Sequence, residues 1–296
     1  MSLSLGAAEF EVAQEPQFRK LLPRDAKLAK IAGDLKFVEG PVWLDRDGGI
    51  LVFSDIPANR MYQWSADGGL KEFRDPSHHA NGNTTDRKAK VLYTCEHGAR
   101  RVTRTAPGAA PVTLVERFRN QRLNSPNDVV LKRDGTIWFT DPDYGIQREQ
   151  REQEANFVFR FHPETKELNA VARDFDKPNG LCFSPDEKRL YVADSGSPRH
   201  IRVFDVEWDN TLSNGRIFCK IDRGGPDGIR ADREGRIWSS AGDGVQIFDV
   251  RGGLIGKILT PESPANLCFG GKNGRTLFIT ARTSVYAIET DTKGAR

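Results

Sequence analysis

The sequence predicts an all-β fold, a six-bladed β-propeller with four antiparallel strands in each blade. The main observation is a dipeptide whose first residue bears a side-chain oxygen and which recurs at gaps of about 40 to 50 residues, a period typical of propellers. Its six occurrences are Glu39-Gly40, Asn81-Gly82, Asn127-Asp128, Asn179-Gly180, Asp227-Gly228 and Asn266-Leu267. We call the first residue of each dipeptide a lead residue. The second observation is that no amphipathic helix of any length is evident between residues 37 and 292.

Each repeat contains the same succession of short segments. The lead dipeptide introduces an apolar run, a turn cluster rich in Gly, Asp and Asn follows, and a run of β-branched and aromatic residues comes next. These second runs are ILVFSD, VLYTCEH, TIWFTDPD, RLYVADS, RIWSSAGD and TLFITAR. A third run alternates apolar and polar residues, as expected of a strand with one buried face, and a more variable fourth run completes the blade.

The segment before the first repeat is expected to close the ring. Residues 27–31 (KLAKI) can supply the outer strand of the last blade, which would remove an open sheet edge. A single blade is too small to bury a core by itself. We therefore predict one propeller domain over residues 21–296, preceded by an N-terminal extension over residues 1–20.

Composition and charge limit the possible partners. The chain carries 44 basic and 41 acidic residues, and its net charge of +3 gives no electrostatic case for nucleic acid. No stretch is apolar for long enough to span a bilayer, so we expect neither a nucleic acid nor a membrane as partner. The expected assembly is a monomer or a homodimer.

The cysteines and the first residues bear on the compartment. Cys95, Cys182, Cys219 and Cys268 are scattered without metal-binding spacing, so we expect buried free thiols and a reducing environment. The first residues lack the basic start and long apolar centre of a secretory signal. We therefore expect a cytoplasmic location, or a periplasmic one if a signal segment was trimmed.

The lead residues are expected to converge on the mouth of the central channel, since each begins the innermost strand of its blade. Two carboxylates and two amide oxygens come from Glu39, Asn127, Asn179 and Asp227, and hard cations such as Ca²⁺ and Mg²⁺ prefer such an all-oxygen set. No lead residue is His or Cys, which argues against a dedicated soft-metal site. These residue types indicate a divalent cation, and Ca²⁺, Mg²⁺, Mn²⁺ or Zn²⁺ can each bind such a set of ligands.

The alternative interpretation of these dipeptides is structural. Asn-Gly and Asp-Gly are common turn sequences, and one such dipeptide alone would indicate a hairpin. Each repeat, however, already contains a hairpin turn a few residues later. Glu39 also suits a tight turn poorly, because Glu lacks the short side chain and the tolerance for positive φ that Asn and Asp have. The set as a whole therefore favours a ligand role.

Several segments resemble the family of gluconolactonase, senescence marker protein and luciferin-regenerating enzyme. They are FVEGPVW (37–43), SPNDVV (125–130), KPNGLCFSPD (177–186) and GPDGIRAD (225–232). Two more, ANGN (80–83) and CEHGARRVTR (95–104), are similar to the bacterial gluconolactonases in particular. The resemblance covers about residues 21–290. It implies a six-bladed propeller that binds one divalent cation in its channel and hydrolyses lactones.

The resemblance also implies roles for single residues. Glu39, Asn179 and Asp227 would be the protein ligands of the cation, and Asn127 would hold substrate or a metal-bound water, with direct ligation also open. Such a cation would polarise the lactone carbonyl and lower the pKa of a coordinated water, with Asp227 as first candidate for general base. One position departs from the pattern: some animal members have Arg two residues before the Asn127 position to grip sugar hydroxyls, and this chain has Ser125.

Further candidates lie where the second strands end, because antiparallel pairing returns those ends to the face of the lead residues. His97 is the second candidate for general base. The candidates for substrate contact are Asn81, Asn127, Asp143 and Tyr144, and Asp194 and Ser195 reach the same rim. A capped strand end or a loop hydrogen bond is the structural alternative for each rim residue.

Three functions remain open from the sequence. The favoured one is a calcium-type lactonase that acts on an aldonolactone such as glucono-1,5-lactone. The second keeps the cation but cleaves organophosphates, as related propeller phosphotriesterases do. The third is a binding propeller without catalysis, which would have little use for oxygen ligands at its channel mouth. A serine hydrolase is disfavoured because the sequence contains no GxSxG elbow.

Overall fold

The structure is a computed structural model that describes residues 9–295. Two strands precede the first repeat, β1 (Phe10–Val12) and β2 (Ala29–Ala32), with a short helix, α1 (Glu15–Phe18), between them. The first blade consists of β3 (Val38–Leu44), β4 (Ile50–Asp55), β5 (Arg60–Ser65) and β6 (Gly69–Arg74). The second consists of β7 (Ala80–Thr85), β8 (Leu92–Glu96), β9 (Arg101–Thr105) and β10 (Val112–Val115), and a small hairpin of β11 (Arg117–Phe118) and β12 (Gln121–Arg122) follows it. The third consists of β13 (Val129–Leu131), β14 (Ile137–Asp141), β15 (Phe157–Phe161) and β16 (Leu168–Ala172).

The second half of the chain repeats this arrangement. The fourth blade consists of β17 (Pro178–Phe183), β18 (Arg189–Asp194), β19 (His200–Val206) and β20 (Leu212–Lys220). The fifth contains β21 (Ile229–Ala231), β22 (Ile237–Ser240), β23 (Gly244–Phe248) and β24 (Leu254–Leu259). The sixth contains β25 (Pro264–Gly270), β26 (Thr276–Ala281) and β27 (Ser284–Glu289). All neighbouring strands in each sheet are antiparallel, which confirms the predicted six-bladed propeller. Within residues 9–295, no helix has the length and apolar character needed to cross a membrane.

Both strands before the first repeat join blades from the end of the chain. β2 pairs with β27 as the outer strand of the sixth blade, which confirms that the predicted segment closes the ring. β1 adds a fifth strand to the fifth blade by pairing with β24, and Phe18 packs into the core beside that blade. Part of the predicted extension over residues 1–20 thus contacts the propeller, and residues 1–8 of it lie outside the described residues.

Aromatic pairs join neighbouring blades, because each small sheet must cover its faces with the next one. The ring of Trp138 in the third blade meets Phe183 of the fourth with 5.4 Å between centroids, at an interplanar angle of 87°. Trp43 of the first blade stacks on Phe278 of the sixth at 5.4 Å. All four cysteines are buried and free, as expected from their apolar surroundings in the sequence.

Aspartates at the ends of second strands hold the segments that lead into the channel. Asp194 accepts hydrogen bonds from the backbone amides of Asp176 (3.0 Å) and Lys177 (2.8 Å). Asp55 and Asp141 accept backbone amides at the same place in the first and third blades. These contacts satisfy amide groups that the strands leave unpaired, and for Asp194 they correspond to the structural alternative, a capped strand end.

Candidate active site

The lead residues follow one another around the central channel, and backbone contacts between neighbouring innermost strands place them there. The amide of Gly82 donates to the carbonyl oxygen of Asn127 (2.8 Å), and that of Gly180 donates to the carbonyl oxygen of Asp227 (3.1 Å). A Cβ on Gly82 would lie 2.4 Å from the Asn127 oxygen, and one on Gly180 would lie 2.3 Å from the Asp227 oxygen. The glycines after the lead residues therefore allow adjacent blades to meet at the axis.

Gly40 has a second reason to be glycine. Its φ of +52° is in the left-handed region that residues with side chains rarely adopt, and a Cβ there would lie 2.0 Å from the carbonyl oxygen of Asn81. The backbone amide of Gly40 also donates to Oε2 of Glu39 at 2.7 Å. This geometry holds the Glu39 carboxylate in place where the first blade meets the ring of lead residues.

Two carboxyl groups in this ring have raised pKa values. Burial is the main cause for Glu39, whose pKa rises to about 7, with a further contribution from the charge of Asp128. Burial and then the charge of Glu39 hold the pKa of Asp227 well above its ordinary value. Asp227 as a whole residue is only half-buried, yet its Oδ1 is fully shielded from solvent. The ionised form of each group therefore opposes ionisation of the other, and a positive charge between them would favour the state in which both are ionised.

Three side-chain oxygens of the ring have no hydrogen-bond partner although they are buried. They are Oδ1 of Asn81, Oδ1 of Asn179 and Oδ1 of Asp227. A buried oxygen left without a partner costs about 1 to 3 kcal/mol, so native proteins rarely keep one unless something else binds there. By contrast, Oδ1 of Asn266 accepts the amide of Leu267 at 2.8 Å. The unpartnered oxygens come from the second, fourth and fifth blades.

The donor types in the ring decide which ion could bind. Within the part of the chain that the structure describes, no three His, Cys, Asp or Glu side chains form a group able to hold a metal. A cation at this position would therefore depend on amide oxygens beside the two carboxylates. That donor set suits a hard cation and fits the predicted ligands Glu39, Asn127, Asn179 and Asp227 in chemical type.

A buried ion pair lies next to the ring along the channel. Nη1 of Arg230 donates to Oδ2 of Asp128 at 3.0 Å, and the Asp128 side chain is fully buried. The charge of Arg230 acts to lower the pKa of Glu39. A cavity of about 490 Å³ lies beyond this pair, lined by Arg230, Cys182 and Cys268 among others. Its lining begins past the lead residues, so it opens at the other end of the channel.

The structure brings together two predicted residues, His97 and Asn81. Nδ2 of Asn81 lies 3.0 Å from Nε2 of His97, so the amide donates and the imidazole accepts. Burial, and then the charge of His79, lowers the pKa of His97 to about 4. His97 is therefore neutral at physiological pH, with one ring nitrogen already engaged.

Ser125 fastens the loop that carries two of the predicted substrate contacts. Its Oγ donates to the carbonyl oxygen of Pro142 (2.5 Å) and accepts the amide of Gly145 (2.8 Å). A Cβ on Gly145 would lie 2.9 Å from both the Ser125 and the His97 side chains. We call residues 142–145 the rim loop. Ser125 thus anchors both ends of the rim loop. From the sequence, it was noted only as a departure from the family pattern.

The rim loop places Tyr144 beside the ring. Tyr144 is 48% exposed as a residue; partial burial of its hydroxyl, and then the negative charge of Asp227, raises its pKa to about 12. Nζ of Lys177 lies 5.4 Å from the centre of the tyrosine ring. Asp143 forms ion pairs with Lys177 and with Arg151, the latter at 3.2 Å. The Asp143 carboxylate is thus engaged with protein cations.

The side chains of the remaining rim candidates, Ser195 and Asp194, form hydrogen bonds with the protein backbone. Ser195 Oγ donates to the carbonyl oxygen of Pro226, next to Asp227, and Asp194 caps backbone amides. The sequence reasoning missed the Asp128–Arg230 pair. Asp128 takes the position where four of the six lead dipeptides have Gly, and that exception was the available signal.

Comparisons with known proteins show which family and which folds this chain is similar to. The family model for the SMP-30/gluconolactonase/LRE-like region matches residues 37–283. A gluconolactonase from Zymomonas mobilis is 33% identical, over 94% of this chain and 85% of its own length. The solved structure of a gluconolactonase from Xanthomonas campestris is 35% identical, with a TM-score of 0.89 over 96% of this chain and 95% of the other. The structure of regucalcin from Agrobacterium tumefaciens, described as a calcium-binding protein, shares the fold at 19% identity with a TM-score of 0.72, over 90% of this chain and 98% of its own.

Proposed function

This chain belongs to the SMP-30/gluconolactonase/LRE-like family and is a lactone hydrolase, and we propose that it opens a sugar lactone of the glucono-1,5-lactone type with the help of one divalent cation. The observation that supports the cation is the ring of lead residues, in which buried oxygens lack partners and two carboxyl groups share raised pKa values. A positive ion at the axis would satisfy both features at once.

The residues that would hold the cation are Glu39, Asn127, Asn179 and Asp227. Ca²⁺ is our first choice because it accepts six to eight oxygen ligands in flexible geometry, and Mg²⁺, Mn²⁺ or Zn²⁺ are alternatives. When bound, such an ion supplies Lewis-acid polarisation of a carbonyl and activation of water. The chain supplies the frame, because backbone hydrogen bonds from the glycines after the lead residues join the innermost strands of neighbouring blades.

Asp227 is the better of the two candidates for general base. Burial raises the pKa of Asp227, which makes its carboxylate a stronger base than an ordinary one, and its Oδ1 has no hydrogen-bond partner. His97, in contrast, has a pKa of about 4, and its Nε2 already accepts a hydrogen bond from Asn81. We therefore assign proton removal from the attacking water to Asp227, and orientation of Asn81 to His97.

Substrate recognition is assigned to Asn127 and to the rim loop. A sugar lactone presents several hydroxyl groups around a ring, and Tyr144 offers both a flat apolar surface and a hydrogen-bonding hydroxyl. Asp143 is held by Lys177 and Arg151. We propose that Asp143 keeps Lys177 against Tyr144 rather than contacting the lactone itself.

The test is hydrolysis of glucono-1,5-lactone by the wild-type protein and by Asp227→Asn, with and without EDTA. We expect Asp227→Asn to lose turnover by at least about a thousandfold, and chelation to abolish turnover until the cation is restored. Asp67→Asn, at an exposed hairpin turn, is the matched control and should behave as wild type. Full activity in EDTA would refute the cation mechanism, and faster cleavage of a fluorophosphate would refute the substrate class.

A further inference from the structure

We infer that Asn81 is an additional oxygen ligand of the cation and that His97 orients it for that role. The inference rests on the proposed function, since it concerns the same ion. It differs from the role predicted for Asn81 from sequence, which was contact with the substrate. The argument comes from the position of Asn81 in the ring, from the partner of its nitrogen, and from the missing partner of its oxygen.

The backbone of Asn81 is fixed between the first and third blades. Its carbonyl oxygen accepts the hydroxyl of Ser54 in the first blade (2.7 Å), and the next residue, Gly82, donates to the carbonyl oxygen of Asn127 in the third (2.8 Å). Gly40 approaches the same Asn81 carbonyl closely. Asn81 therefore stands in the ring between two of the predicted ligands, Glu39 and Asn127.

The side chain of Asn81 has one engaged end and one open end. Its Nδ2 donates to Nε2 of His97 at 3.0 Å, which turns Oδ1 away from the imidazole. That oxygen is buried and has no hydrogen-bond partner. Asn83, two residues later in the same strand, is the contrast: its Oδ1 accepts the hydroxyl of Thr94 (2.8 Å), and its Nδ2 donates to the carbonyl oxygen of Gly40 (2.8 Å).

His97 is held firmly enough to orient the amide. Its backbone amide donates to the carbonyl oxygen of His79 at 3.1 Å, and Gly145 of the rim loop packs against its side chain so closely that a Cβ would not fit. An amide that donates through nitrogen also becomes a better acceptor at oxygen, because hydrogen bonds in a chain polarise one another. The pair thus presents a polarised, neutral oxygen.

This oxygen suits the needs of the proposed ion. Ca²⁺ takes six to eight oxygen ligands, and the four predicted protein ligands leave positions that water, substrate or another side chain must fill. The Asn81 oxygen would fill one of these positions, and as a neutral amide it leaves the net charge of the ring unchanged. Asn81 would therefore strengthen binding of the cation.

The experiment is calcium titration by calorimetry of the chelator-treated, dialysed protein. We expect Asn81→Ala to raise the Kd on the order of tenfold, the loss of one charge-assisted contact. Asn81→Asp keeps an oxygen at that position and should bind at least as tightly as wild type. Asn179→Ala serves as the reference for a ligand of the proposed site, and Asn169→Ala, an outer-strand amide, serves as the control with unchanged Kd. Circular dichroism of each chelated variant establishes that it is folded.

The outcomes separate the inference from the proposed function. If Asn81→Ala binds calcium like wild type while Asn179→Ala loses binding, the inference is overturned and the proposed function stands. If Asn81→Ala keeps the wild-type Kd but loses lactone turnover at saturating calcium, Asn81 is a substrate contact and the inference is again overturned. If the wild-type protein binds no divalent cation, both fail. A weakened Asn81→Ala with an intact Asn81→Asp supports the inference.

Discussion

Glu39 should make the stability of the cation-free protein depend on pH. Its pKa is about 7 in the folded chain, against an ordinary value of 4.5, so the folded state binds this proton more tightly than the unfolded state does. Its contribution to stability is therefore fully present below pH 4.5 and is lost as the pH rises toward 7. Since one pKa unit corresponds to 1.36 kcal/mol, the loss is about 3 kcal/mol.

The contribution of Glu39 to the unfolding free energy must be separated from those of other groups that titrate in the same pH range. The pKa of Asp141 is also raised to about 7, whereas that of His97 is lowered to about 4. The lowered His97 pKa has the opposite sign, because stability from a neutral buried imidazole is lost as the pH falls. Comparison with Glu39→Gln removes the contributions of Asp141 and His97, which both proteins retain. Because the charge of Glu39 also helps to raise the pKa of Asp227, the remaining difference reports the Glu39–Asp227 pair.

The assay is urea unfolding in EDTA at several values between pH 4.5 and 8. We expect the unfolding free energy of the wild type, relative to Glu39→Gln, to fall by about 3 kcal/mol as the pH rises from 4.5 to 7. Saturating calcium should remove most of the difference between the two proteins in how the unfolding free energy depends on pH. Glu72→Gln, at an exposed ion pair, is the control and should follow the wild type. Parallel pH profiles for wild type and Glu39→Gln would refute the reasoning.

Two further predictions concern residues around the ring. Arg230→Met leaves the fully buried Asp128 carboxylate without its partner and should destabilise the protein by about 3 to 5 kcal/mol in urea unfolding. Most of this loss should be recovered when Asp128→Asn is added. No recovery in the double variant would contradict the pairing. Ser125→Ala frees both anchors of the rim loop and should raise KM severalfold with little change in kcat, while Ser125→Thr keeps the hydroxyl and retains most of the wild-type KM. A fall in kcat at unchanged KM would contradict a positioning role.

The period of the lead dipeptides was enough to predict the number of blades and the ring closure, because both follow from local strand patterns repeated along the chain. Contacts between distant residues left no such pattern. Asp128 and Arg230 are 102 residues apart in sequence, and nothing in either local segment indicates the other. The pairing of β1 with the fifth blade is equally non-local, since it joins Phe10 to Ile258.

The sequence ranked Asp227 above Asp194 by its place in a lead dipeptide, but it could not show the physical difference between the two carboxylates. Asp194 and Asp227 both lie at strand ends near the channel, and both precede or follow glycine-rich turns. What separates them is the supply of backbone donors: both oxygens of Asp194 accept amides from the entering segment, whereas Oδ1 of Asp227 meets none. A carboxylate whose hydrogen-bonding capacity is filled by the fold has little left for an ion or a water. Asp141 and Asn124, outside the ring, also keep a buried oxygen without a hydrogen-bond partner. Unfilled capacity therefore marks the candidate site only together with the arrangement of the lead residues, which brings several such oxygens from different blades around one channel.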